Sequence, residues 1–469
     1  MTMAENVPTR NEQHLRNLKT LLWGNAIKED VFKRWAQGFY FSEEEPTALV
    51  QAEGGPCAVI APVQAFILKE LMLERDISTW KSVAPEKCDQ LLVGACTEII
   101  SRACSNRTPK FTVAYTDNNR EETSADVVTP SWGQIEANET EERPKQQMAK
   151  CTQSTGSEKS STADNELILD SEVFHSRLRI RGVESIERVE QFLKDKLDTL
   201  KGRHGILLLL YSVIFTKGIP EIRSEMSDPL ESMIDPTYGY GSQSLINLML
   251  TGRAVSHVWD HDQNIGGLNL RGIDEQNTVG FLALLEHLRY CEVGSFLKSP
   301  SEPVWVLGSE THLTVLFSNE RKLVSPETPA EHAKRVFRKF DPEGNTFITV
   351  NLLQDVLAEL GLVADAEYVD IMTKKLDAEN LGIILLTSFM DEFFPEETLT
   401  CPDTFPLYHY NGLERSNPQN RISYSKGQAV LLECDVKCIL ESNPMLTVLQ
   451  TKWPRIEIQW EFGRNPSLN

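Results

Sequence analysis

Residues 51–60 read QAEGGPCAVI, a glycine–glycine–proline turn that leads into an apolar segment. Paired glycines permit a tight backbone path, and proline is favoured in the first turn of a helix. Cys57 is therefore predicted at a helix N-terminus, where unpaired backbone N–H groups and the helix dipole favour the thiolate. Pro62 should kink this helix or end a first short turn before a longer helix starts. The competing interpretation is a small buried residue, which we also expect for three other cysteines: Cys88, Cys96 and Cys104.

Gln51 lies six residues before Cys57. In papain-like folds this spacing lets a glutamine amide N–H point at the developing oxyanion, beside the backbone N–H of the nucleophile. One such preorganised donor lowers the barrier by about 3–4 kcal/mol. The turn and Gln51 together make Cys57 the strongest candidate nucleophile in the chain.

A thiolate nucleophile needs a base that later protonates the leaving amine. The best placed histidine is His312, within PVWVLGSETHLTVLF (303–317), which predicts two apolar strands joined by a polar turn. His312 opens the second strand, and Thr314 shares its face because side chains alternate along a strand. We expect His312 to be the base, and Thr314 is a candidate for orienting its ring. The alternative for a histidine at a strand edge is a surface or capping role.

A second histidine pair, His257 and His261, lies in HVWDH at the end of a helix predicted over residues 244–259. On a helix this spacing can hold a divalent metal. No glutamate is placed as in the H-E-x-x-H signature, so a polar loop is the favoured interpretation. Cys434 and Cys438 form an isolated C-x3-C pattern without a second ligand pair, which is a weak zinc signal. We expect no metal and no cofactor.

The 469 residues carry a formal net charge of −21, and 41% of them are hydrophobic, enough for a sizeable core. The acidic excess argues against a nucleic acid or an anionic membrane as partner, and it suits a basic protein partner or simply a solvated acidic surface. The longest apolar run, residues 205–215, is too short to span a bilayer. The polar start of the chain and an odd number of cysteines, nine, predict reduced thiols in a cytoplasmic or nuclear protein.

Composition divides the chain into five parts. Residues 1–116 hold the candidate nucleophile, and residues 166–328 hold the candidate base. Between them, residues 117–165 contain few large apolar side chains, so we expect a disordered insertion that cannot offset its ordering entropy. Residues 329–396 predict four short amphipathic helices, and residues 397–469 contain strand-like runs that complete the catalytic domain.

The spacing of helices and loops over residues 329–396 is typical of two EF-hands. Its loops begin at Asp341 and Asp377, 36 residues apart. Ile348 and Ile384 occupy position 8 of these loops, where paired loops share a short β-bridge. The sequence therefore predicts a small all-α module of the EF-hand type.

The two loops of this module lack residues that calcium binding requires. Position 12 of an EF-hand loop should be a bidentate glutamate, but it is Leu352 in the first loop and Ser388 in the second. Thr346 replaces the glycine at position 6 of the first loop, and Leu381 occupies position 5 of the second. We predict a structural pair without physiological calcium binding, whose role is packing or docking of a protein partner.

The chain resembles the MINDY family of deubiquitinases, and closely its EF-hand-containing branch. The stretches that carry the resemblance cover nearly the whole chain apart from residues 117–165: WAQGFYFSEEEPTALVQAEGGPCAVIAPVQAFILK (35–69), YGYGSQSLINLMLTGRAVSHVWD (238–260), VGSFLKSP (293–300), WVLGSETHLTV (305–315), LGIILL (381–386), YHYNGL (408–413), TKWPRIEI (451–458) and PSLN (466–469). Together they are far more specific than any single motif.

This resemblance implies a papain-like α+β catalytic fold expanded by insertions. It also implies hydrolysis of isopeptide bonds in polyubiquitin, with preference for the lysine linkage that targets proteins to the proteasome. Cys57 would be the nucleophile, His312 the base and Gln51 the oxyanion donor. The third residue of a triad is not fixed by the resemblance, and Thr314 stays a candidate. A different class of function is a non-catalytic scaffold that binds ubiquitin chains, but three intact site residues argue against it.

Overall fold

The computed structural model describes most of the chain, in eight ranges: 10–74, 77–104, 108–116, 170–325, 328–341, 345–395, 402–432 and 443–469. The insertion predicted over residues 117–165 and the Cys434–Cys438 pattern lie outside the described residues. The chain separates into two compact units, a larger one of Met1–Asn319 with Pro406–Asn469 and a smaller one of Glu320–Phe405.

The first part of the larger unit is mainly helical. Its elements are α1 (Arg10–Trp23), α2 (Glu29–Trp35), β1 (Tyr40–Phe41), β2 (Leu49–Val50), α3 (Cys57–Glu74), α4 (Pro85–Arg102), β3 (Phe111–Thr116), α5 (Ser171–Arg177), β4 (Leu178–Val183), α6 (Ile186–Asp195), α7 (Leu197–Lys201), α8 (Gly205–Lys217) and α9 (Ile219–Glu225). α3 and α8 are almost uniformly apolar, and such helices are stable only when protein surrounds them. Both are buried in the central core, and α3 contacts α4 and α8.

Pro62 does not end the helix that follows the candidate nucleophile. α3 runs from Cys57 to Glu74 with Pro62 inside it, so the predicted short first turn is not present. Proline removes one backbone donor from a helix, but nearly every side chain around this position is buried. Packing on all sides therefore keeps the helix continuous.

The next part of the larger unit supplies the central strands. Its elements are α10 (Gln243–Thr251), β5 (Gln263–Ile265), β6 (Leu268–Leu270), β7 (Gly280–Ala283), α11 (Leu284–His287), α12 (Ser295–Lys298), β8 (Val304–Gly308) and β9 (Leu313–Phe317). β8 and β9 form the antiparallel hairpin that the sequence predicts over residues 303–317. Its turn is closed by the Ser309 N–H, which donates to the His312 carbonyl at 3.0 Å.

The helix predicted over residues 244–259 is shorter in the structure. α10 ends at Thr251, because Gly252 takes a left-handed conformation with φ 78° and caps the helix. His257 and His261 therefore do not lie one turn apart on a helix, as the metal interpretation requires.

The smaller unit contains the four amphipathic helices that the sequence predicts. Its described elements are α13 (Pro329–Lys339), β10 (Phe347–Thr349), α14 (Leu353–Glu359), α15 (Ala366–Leu376), β11 (Ile383–Leu385) and α16 (Leu386–Phe393). β10 and β11 pair antiparallel, and Ile348 lies opposite Ile384 as predicted. The apolar helix faces enclose a separate core that includes Phe337, Leu353 and Phe389.

The remaining elements complete a six-stranded sheet. They are β12 (Thr404–Tyr410), β13 (Ser425–Leu431), α17 (Pro444–Gln450) and β14 (Ile456–Trp460), and the strand order is β14-β13-β12-β9-β8-β7. β7 and β8 are parallel, whereas β9 pairs antiparallel with both β8 and β12. Because Val315 lies opposite Tyr410, the start of β9 and the end of β12 meet at one edge of the sheet. Helices combined with a largely antiparallel sheet give the α+β class that the sequence predicts.

Among the described residues, no single helix is both long and apolar enough to cross a membrane. One pair, Gly205–Lys217 with Ile219–Glu225, passes on length and composition but is bent by 81°.

Candidate active site

The turn that precedes Cys57 requires glycine at position 55. Gly55 has a φ of +132°, a conformation that residues with a side chain rarely adopt. A Cβ here would also lie 3.1 Å from the Trp35 indole nitrogen and 3.4 Å from the Gly239 carbonyl oxygen. The Trp35 Nε1–H donates to that same carbonyl at 2.9 Å. The turn is therefore packed between α2 and the loop that contains Gly239.

α3 begins at the candidate nucleophile itself. The Pro56 carbonyl accepts from the N–H groups of Val59 and Ile60 at 2.9 and 3.0 Å, which closes the first turn. The N–H groups of Cys57 and Ala58 precede the first helical hydrogen bonds, so both are open toward the helix start. The predicted position of Cys57 at a helix N-terminus is confirmed.

The Cys57 sulfur is a thiol in this structure. Burial raises its pKa to about 11, and backbone N–H groups, chiefly that of Leu313, act in the opposite direction without compensating. The side chain is 4% exposed. Its Sγ donates to the Gly55 carbonyl at 3.8 Å. The helix start thus provides donors for a negative sulfur, but burial keeps the proton in place.

The His312 ring is oriented by an asparagine. Asn411 Oδ1 lies 3.0 Å from His312 Nε2 and also accepts from the Leu413 N–H at 3.0 Å, while Asn411 Nδ2 donates to the Ser467 carbonyl at 3.0 Å. These contacts fix which end of the amide carries oxygen. Since an amide oxygen only accepts, His312 must carry its proton on Nε2, which leaves the Nδ1 lone pair for a proton from a thiol.

His312 is a neutral imidazole in this structure. Burial lowers its pKa to about 4, while the Asn411 hydrogen bond raises the pKa and the charge of Arg415 lowers it. The side chain is 5% exposed. A neutral imidazole is the form that accepts a proton, so the ring is in the state that a general base requires.

The fold brings the candidate nucleophile and the candidate base together. α3 packs against β8 and β9, and the backbone N–H of Leu313, the residue after His312, contributes to the electrostatics of the Cys57 sulfur. The β9–β12 pairing then places Asn411 at the same edge of the sheet. The Cys57, His312 and Asn411 side chains are all buried, so water is largely excluded from them.

Gln51 is anchored beside the same edge. Its backbone N–H donates to the Gly412 carbonyl at 2.8 Å, and it forms a parallel bridge with Leu413. Its side-chain Nε2 donates to the Glu53 carbonyl at 2.9 Å, and the residue is 2% exposed. One amide N–H is thus used to fix the side chain. An amide nitrogen carries two hydrogens, so a second donor remains for an oxyanion.

Gln37 supports this loop and is a residue that sequence reasoning missed. Its Oε1 accepts from the Ala52 N–H at 2.9 Å, and its Nε2 donates to the Glu53 carbonyl at 3.1 Å. The backbone between Gln51 and the glycine turn is therefore held by a residue just after the end of α2. Only the stretch WAQGFYF around Gln37, already part of the resemblance, could have indicated it.

Thr314, the predicted orienting residue, is buried, but its Oγ1 has no hydrogen-bond partner among the described residues. The ring contact is made by Asn411 instead. Asn411 is the second residue that sequence reasoning missed as a site residue. Its signal was the stretch YHYNGL, which contributed to the resemblance without a role being assigned.

The two residues of the competing histidine pair contact different neighbours. His257 Nε2 lies 3.0 Å from the Ser227 hydroxyl, and its ring stacks on Trp259 with centroids 3.9 Å apart. His261 meets the Phe296 ring edge-on at 4.9 Å. Across the ranges that the structure describes, no cluster of three or more potential metal ligands occurs. Both histidines lie between α10 and β5, and the residues that follow, predicted as a loop, form the β5–β6 hairpin instead.

An aromatic loop lies against the nucleophile turn and the first turn of α3. A Cβ on Gly241 would come within 2.4 Å of the Ala58 methyl, which shows how closely the two backbones approach. Tyr238 and Tyr240 flank Gly239, with ring centroids 6.1 Å and ring planes 16° apart. Tyr238 is 63% exposed. The loop that carries this exposed ring therefore packs against Gly55 and Ala58, on either side of Cys57.

Cysteine, histidine and asparagine in these roles occur together in papain-like cysteine hydrolases. A conserved-domain profile described as "Deubiquitinating enzyme MINDY-3/4, conserved domain" matches residues 19–341. The chain belongs to this MINDY-3/4 family of deubiquitinating enzymes.

Relatives of similar length support this assignment. The chain is 48% identical to the "Ubiquitin carboxyl-terminal hydrolase MINDY-3 homolog" of Drosophila melanogaster, over 97% of this chain and 83% of the relative. It is 44% identical to "Ubiquitin carboxyl-terminal hydrolase MINDY-3" of Homo sapiens, over 97% and 99%. It is also 44% identical to the Danio rerio protein of that name, over 96% and 98%. No solved structure matches the chain.

Proposed function

We propose that this chain is a thiol-dependent deubiquitinase that hydrolyses isopeptide bonds in polyubiquitin, on a papain-like catalytic fold. The observation that carries the proposal is the meeting of Cys57, His312 and Gln51 at one edge of the sheet, with Asn411 fixing the histidine tautomer. The names of the relatives supply the substrate class, because each is a ubiquitin carboxyl-terminal hydrolase.

In the first half of the reaction, His312 Nδ1 takes the Cys57 proton as the sulfur attacks the carbonyl carbon of the terminal glycine of ubiquitin. Gln51 Nε2 and the Cys57 backbone N–H hold the negative oxygen of the tetrahedral intermediate. His312 then gives its proton to the leaving lysine amine, and a thioester remains. In the second half, His312 activates a water that hydrolyses the thioester and regenerates the thiol.

Before substrate binds, Cys57 is a thiol and His312 is neutral, so substrate must promote the proton transfer between them. Burial raises the pKa of Cys57 to about 11 and lowers the pKa of His312 to about 4, so burial opposes both members of a thiolate–imidazolium pair. The proton moves only as the carbonyl is attacked, when charge passes from sulfur to an oxygen that has its own donors. Substrate is therefore needed to draw the proton from Cys57 to His312.

The aromatic loop is the proposed wall for the ubiquitin tail. That tail ends in glycines, which have no side chains and can pass close to the Gly54–Gly55 turn. Tyr238 offers an exposed ring at this position, and aromatic side chains are preferred contact residues at protein interfaces. Tyr238→Ala should raise KM for chains, and kcat should change little.

Linkage preference is part of the proposal. The resemblance to the MINDY family favours the proteasome-targeting lysine linkage. The test is cleavage of linkage-defined chains, long and short, by the wild-type protein, by Cys57→Ala and by the matched control Cys291→Ala. Cleavage of long chains of that linkage, lost only in Cys57→Ala, is the expected result. Equal cleavage of all linkages would reject the preference and keep the activity.

The second candidate function is a non-catalytic ubiquitin-chain scaffold. It is favoured by the buried, protonated thiol of Cys57. If neither the wild-type protein nor Cys57→Ala cleaves any chain but both bind chains equally, the scaffold replaces the enzyme.

For the smaller unit we propose a degenerate EF-hand pair that docks a protein partner. The Asp377 carboxylate accepts from the N–H groups of Leu381 and Gly382, both at 2.7 Å, so its oxygens already bind its own loop. Val363, Ile371 and Leu381 are all more than half exposed, which favours protein docking. Calorimetric titration with calcium should show no micromolar binding.

We further propose a cytoplasmic or nuclear location. The described cysteines are free thiols, in keeping with a reducing compartment: Cys57, Cys88, Cys96, Cys104 and Cys291. Microscopy of the tagged full-length chain tests this, and accumulation in the secretory pathway would contradict it.

A further inference from the structure

The segment Ser467–Asn469, here called the SLN segment, lies against the histidine side of the site. The Ser467 carbonyl accepts from Asn411 Nδ2 at 3.0 Å. Asn469 Oδ1 accepts from the Ser309 hydroxyl at 2.5 Å and from the Thr311 hydroxyl at 3.3 Å. One short segment therefore contacts both the asparagine that orients His312 and the turn that carries it.

The turn before His312 depends on the Ser309 hydroxyl. Ser309 Oγ accepts from the His312 N–H at 3.0 Å and from the Thr311 N–H at 3.4 Å. Its single proton can be donated either to Asn469 Oδ1 at 2.5 Å or to the His312 carbonyl at 3.1 Å. The Asn469 acceptor therefore fixes the direction in which this hydroxyl points.

The SLN segment is itself compact. The Asn469 N–H donates to Ser467 Oγ at 3.1 Å, and that hydroxyl donates to the Asn469 carbonyl at 2.5 Å. Leu468 is 5% exposed, whereas its two neighbours are exposed. A single apolar side chain thus anchors a segment whose polar groups face the turn and Asn411.

The orientation of the Asn411 amide has a chemical consequence. The two ends of an amide have nearly the same shape, so only hydrogen-bond partners decide which end faces His312. The Ser467 carbonyl requires the NH2 end, and the Leu413 N–H requires the oxygen end. If the amide flipped, its NH2 would face His312 Nε2 and would force the proton onto Nδ1. The nitrogen that takes the Cys57 proton would then have no lone pair.

We propose that the SLN segment is a positioning element of the active site, which holds the Asn411 amide and the His312 turn so that the Nε2–H tautomer persists. Its catalytic consequence rests on the proposed hydrolase function, but the tautomer itself does not. The segment does not touch the reacting atoms, and it acts through Asn411 and Ser309.

The test compares the wild-type chain with four variants: a deletion of residues 467–469, Asn469→Ala, Asn469→Asp and the exposed control Asn465→Ala. Two readouts are used, kcat and KM for chain cleavage, and the His312 tautomer by nitrogen NMR. The deletion removes the Ser467 acceptor that helps to fix the Asn411 amide, so we expect kcat to fall at least about tenfold with KM changed less than about twofold. Nitrogen NMR should show loss of the pure Nε2–H form.

The point variants keep the test informative should the deletion unfold the protein. Asn469→Ala should lower kcat about fivefold, the equivalent of one hydrogen bond, and Asn469→Asp should restore it because a carboxylate accepts from both hydroxyls. Asn465→Ala should match the wild type. Unchanged kcat and an unchanged tautomer in Asn469→Ala and the deletion would overturn the inference. If the wild-type protein cleaves no chain, the proposed function fails, and the tautomer measurement still decides this inference.

Discussion

The turn before Cys57 and the loop that begins at Asp377 both use backbone N–H groups beside a helix, with opposite results. At Cys57, the backbone N–H groups of Cys57, Ala58 and Leu313 act on the sulfur and lower its pKa. At Asp377, the Leu381 and Gly382 N–H groups bind the carboxylate of the same loop. The N–H groups at Cys57 can stabilise negative charge that develops during a reaction. The N–H groups at Asp377 bind a carboxylate that is already charged, and so they stabilise the loop.

The difference lies in the group that the N–H donors meet, a neutral thiol at Cys57 and a charged carboxylate at Asp377. Asp341 repeats the pattern of Asp377, since its two carboxylate oxygens accept from the Asn345 and Thr346 N–H groups at 2.9 and 2.7 Å. The β10–β11 pairing is present although Leu352 and Ser388 stand where the sequence analysis looked for calcium-binding glutamates. Substitutions in the two regions test this contrast.

The largest expected effect on kcat is at His312, the proposed base. His312→Ala removes the group that takes the thiol proton and protonates the amine, so kcat should fall at least about a thousandfold. The exposed His287→Ala is the matched control and should cleave like the wild type. Steady-state cleavage of a long chain measures both. A fall below tenfold would place the base elsewhere.

The next largest effect on kcat is expected at Gln51, the proposed oxyanion donor. Gln51→Ala should lower kcat about 100–1000-fold, because one preorganised donor to the negative oxygen is lost. Gln428→Ala, on the exposed face of β13, should have no effect. Binding of an uncleaved chain to Gln51→Ala should match binding to the wild type, and weaker binding would instead indicate a role in substrate affinity.

Two substitutions distinguish whether Asn411 or Thr314 orients the His312 ring. Asn411→Ala leaves His312 Nε2–H without its acceptor, so kcat should fall about 10–100-fold. Thr314→Val should leave kcat within about twofold, because the buried Thr314 hydroxyl has no hydrogen-bond partner in the part of the chain that the structure describes. The opposite order of effects would restore Thr314 as the orienting residue.

The pH dependence of Cys57 alkylation tests the resting state. With a pKa of about 11, the thiolate fraction below that pH should rise about tenfold for each pH unit. Iodoacetamide labelling of Cys57 in the chain-free enzyme, followed by mass spectrometry from pH 6 to 9, should show this slope. A flat rate over this range would reveal a preformed thiolate–imidazolium pair.

The smallest effect on catalysis is expected in the smaller unit. Asp377→Ala removes two hydrogen bonds to the loop backbone and should lower the free energy of unfolding by about 1–3 kcal/mol, while kcat stays unchanged. Asp391→Ala, an exposed residue of α16, is the control for surface charge. Denaturant unfolding and chain cleavage are measured on the same samples. A fall in kcat would link the smaller unit to catalysis.

Several local features followed from the sequence because their causes are local. Gly-Gly-Pro before Cys57 specifies a turn and then a helix start, and the polar turn at residues 308–312 between two apolar runs specifies a hairpin. The loop spacing likewise predicted that Ile348 lies opposite Ile384. The early end of α10 also has a local cause, the left-handed Gly252. The helical periodicity of the apolar residues did not predict this end.

The sequence by itself determined the nucleophile turn, the hairpin before and after His312, the small helical unit and, through resemblance, the family. Only the tertiary structure decided which residue orients the His312 ring, because Asn411 lies 99 residues from His312 and reaches it through β9–β12 pairing. The Ser467 contact spans a further 56 residues. The protonation state of Cys57 was also decided there, since burial outweighs the helix N-terminus. Patterns along a chain report local geometry, whereas desolvation and hydrogen bonds between distant segments arise only when the chain has folded.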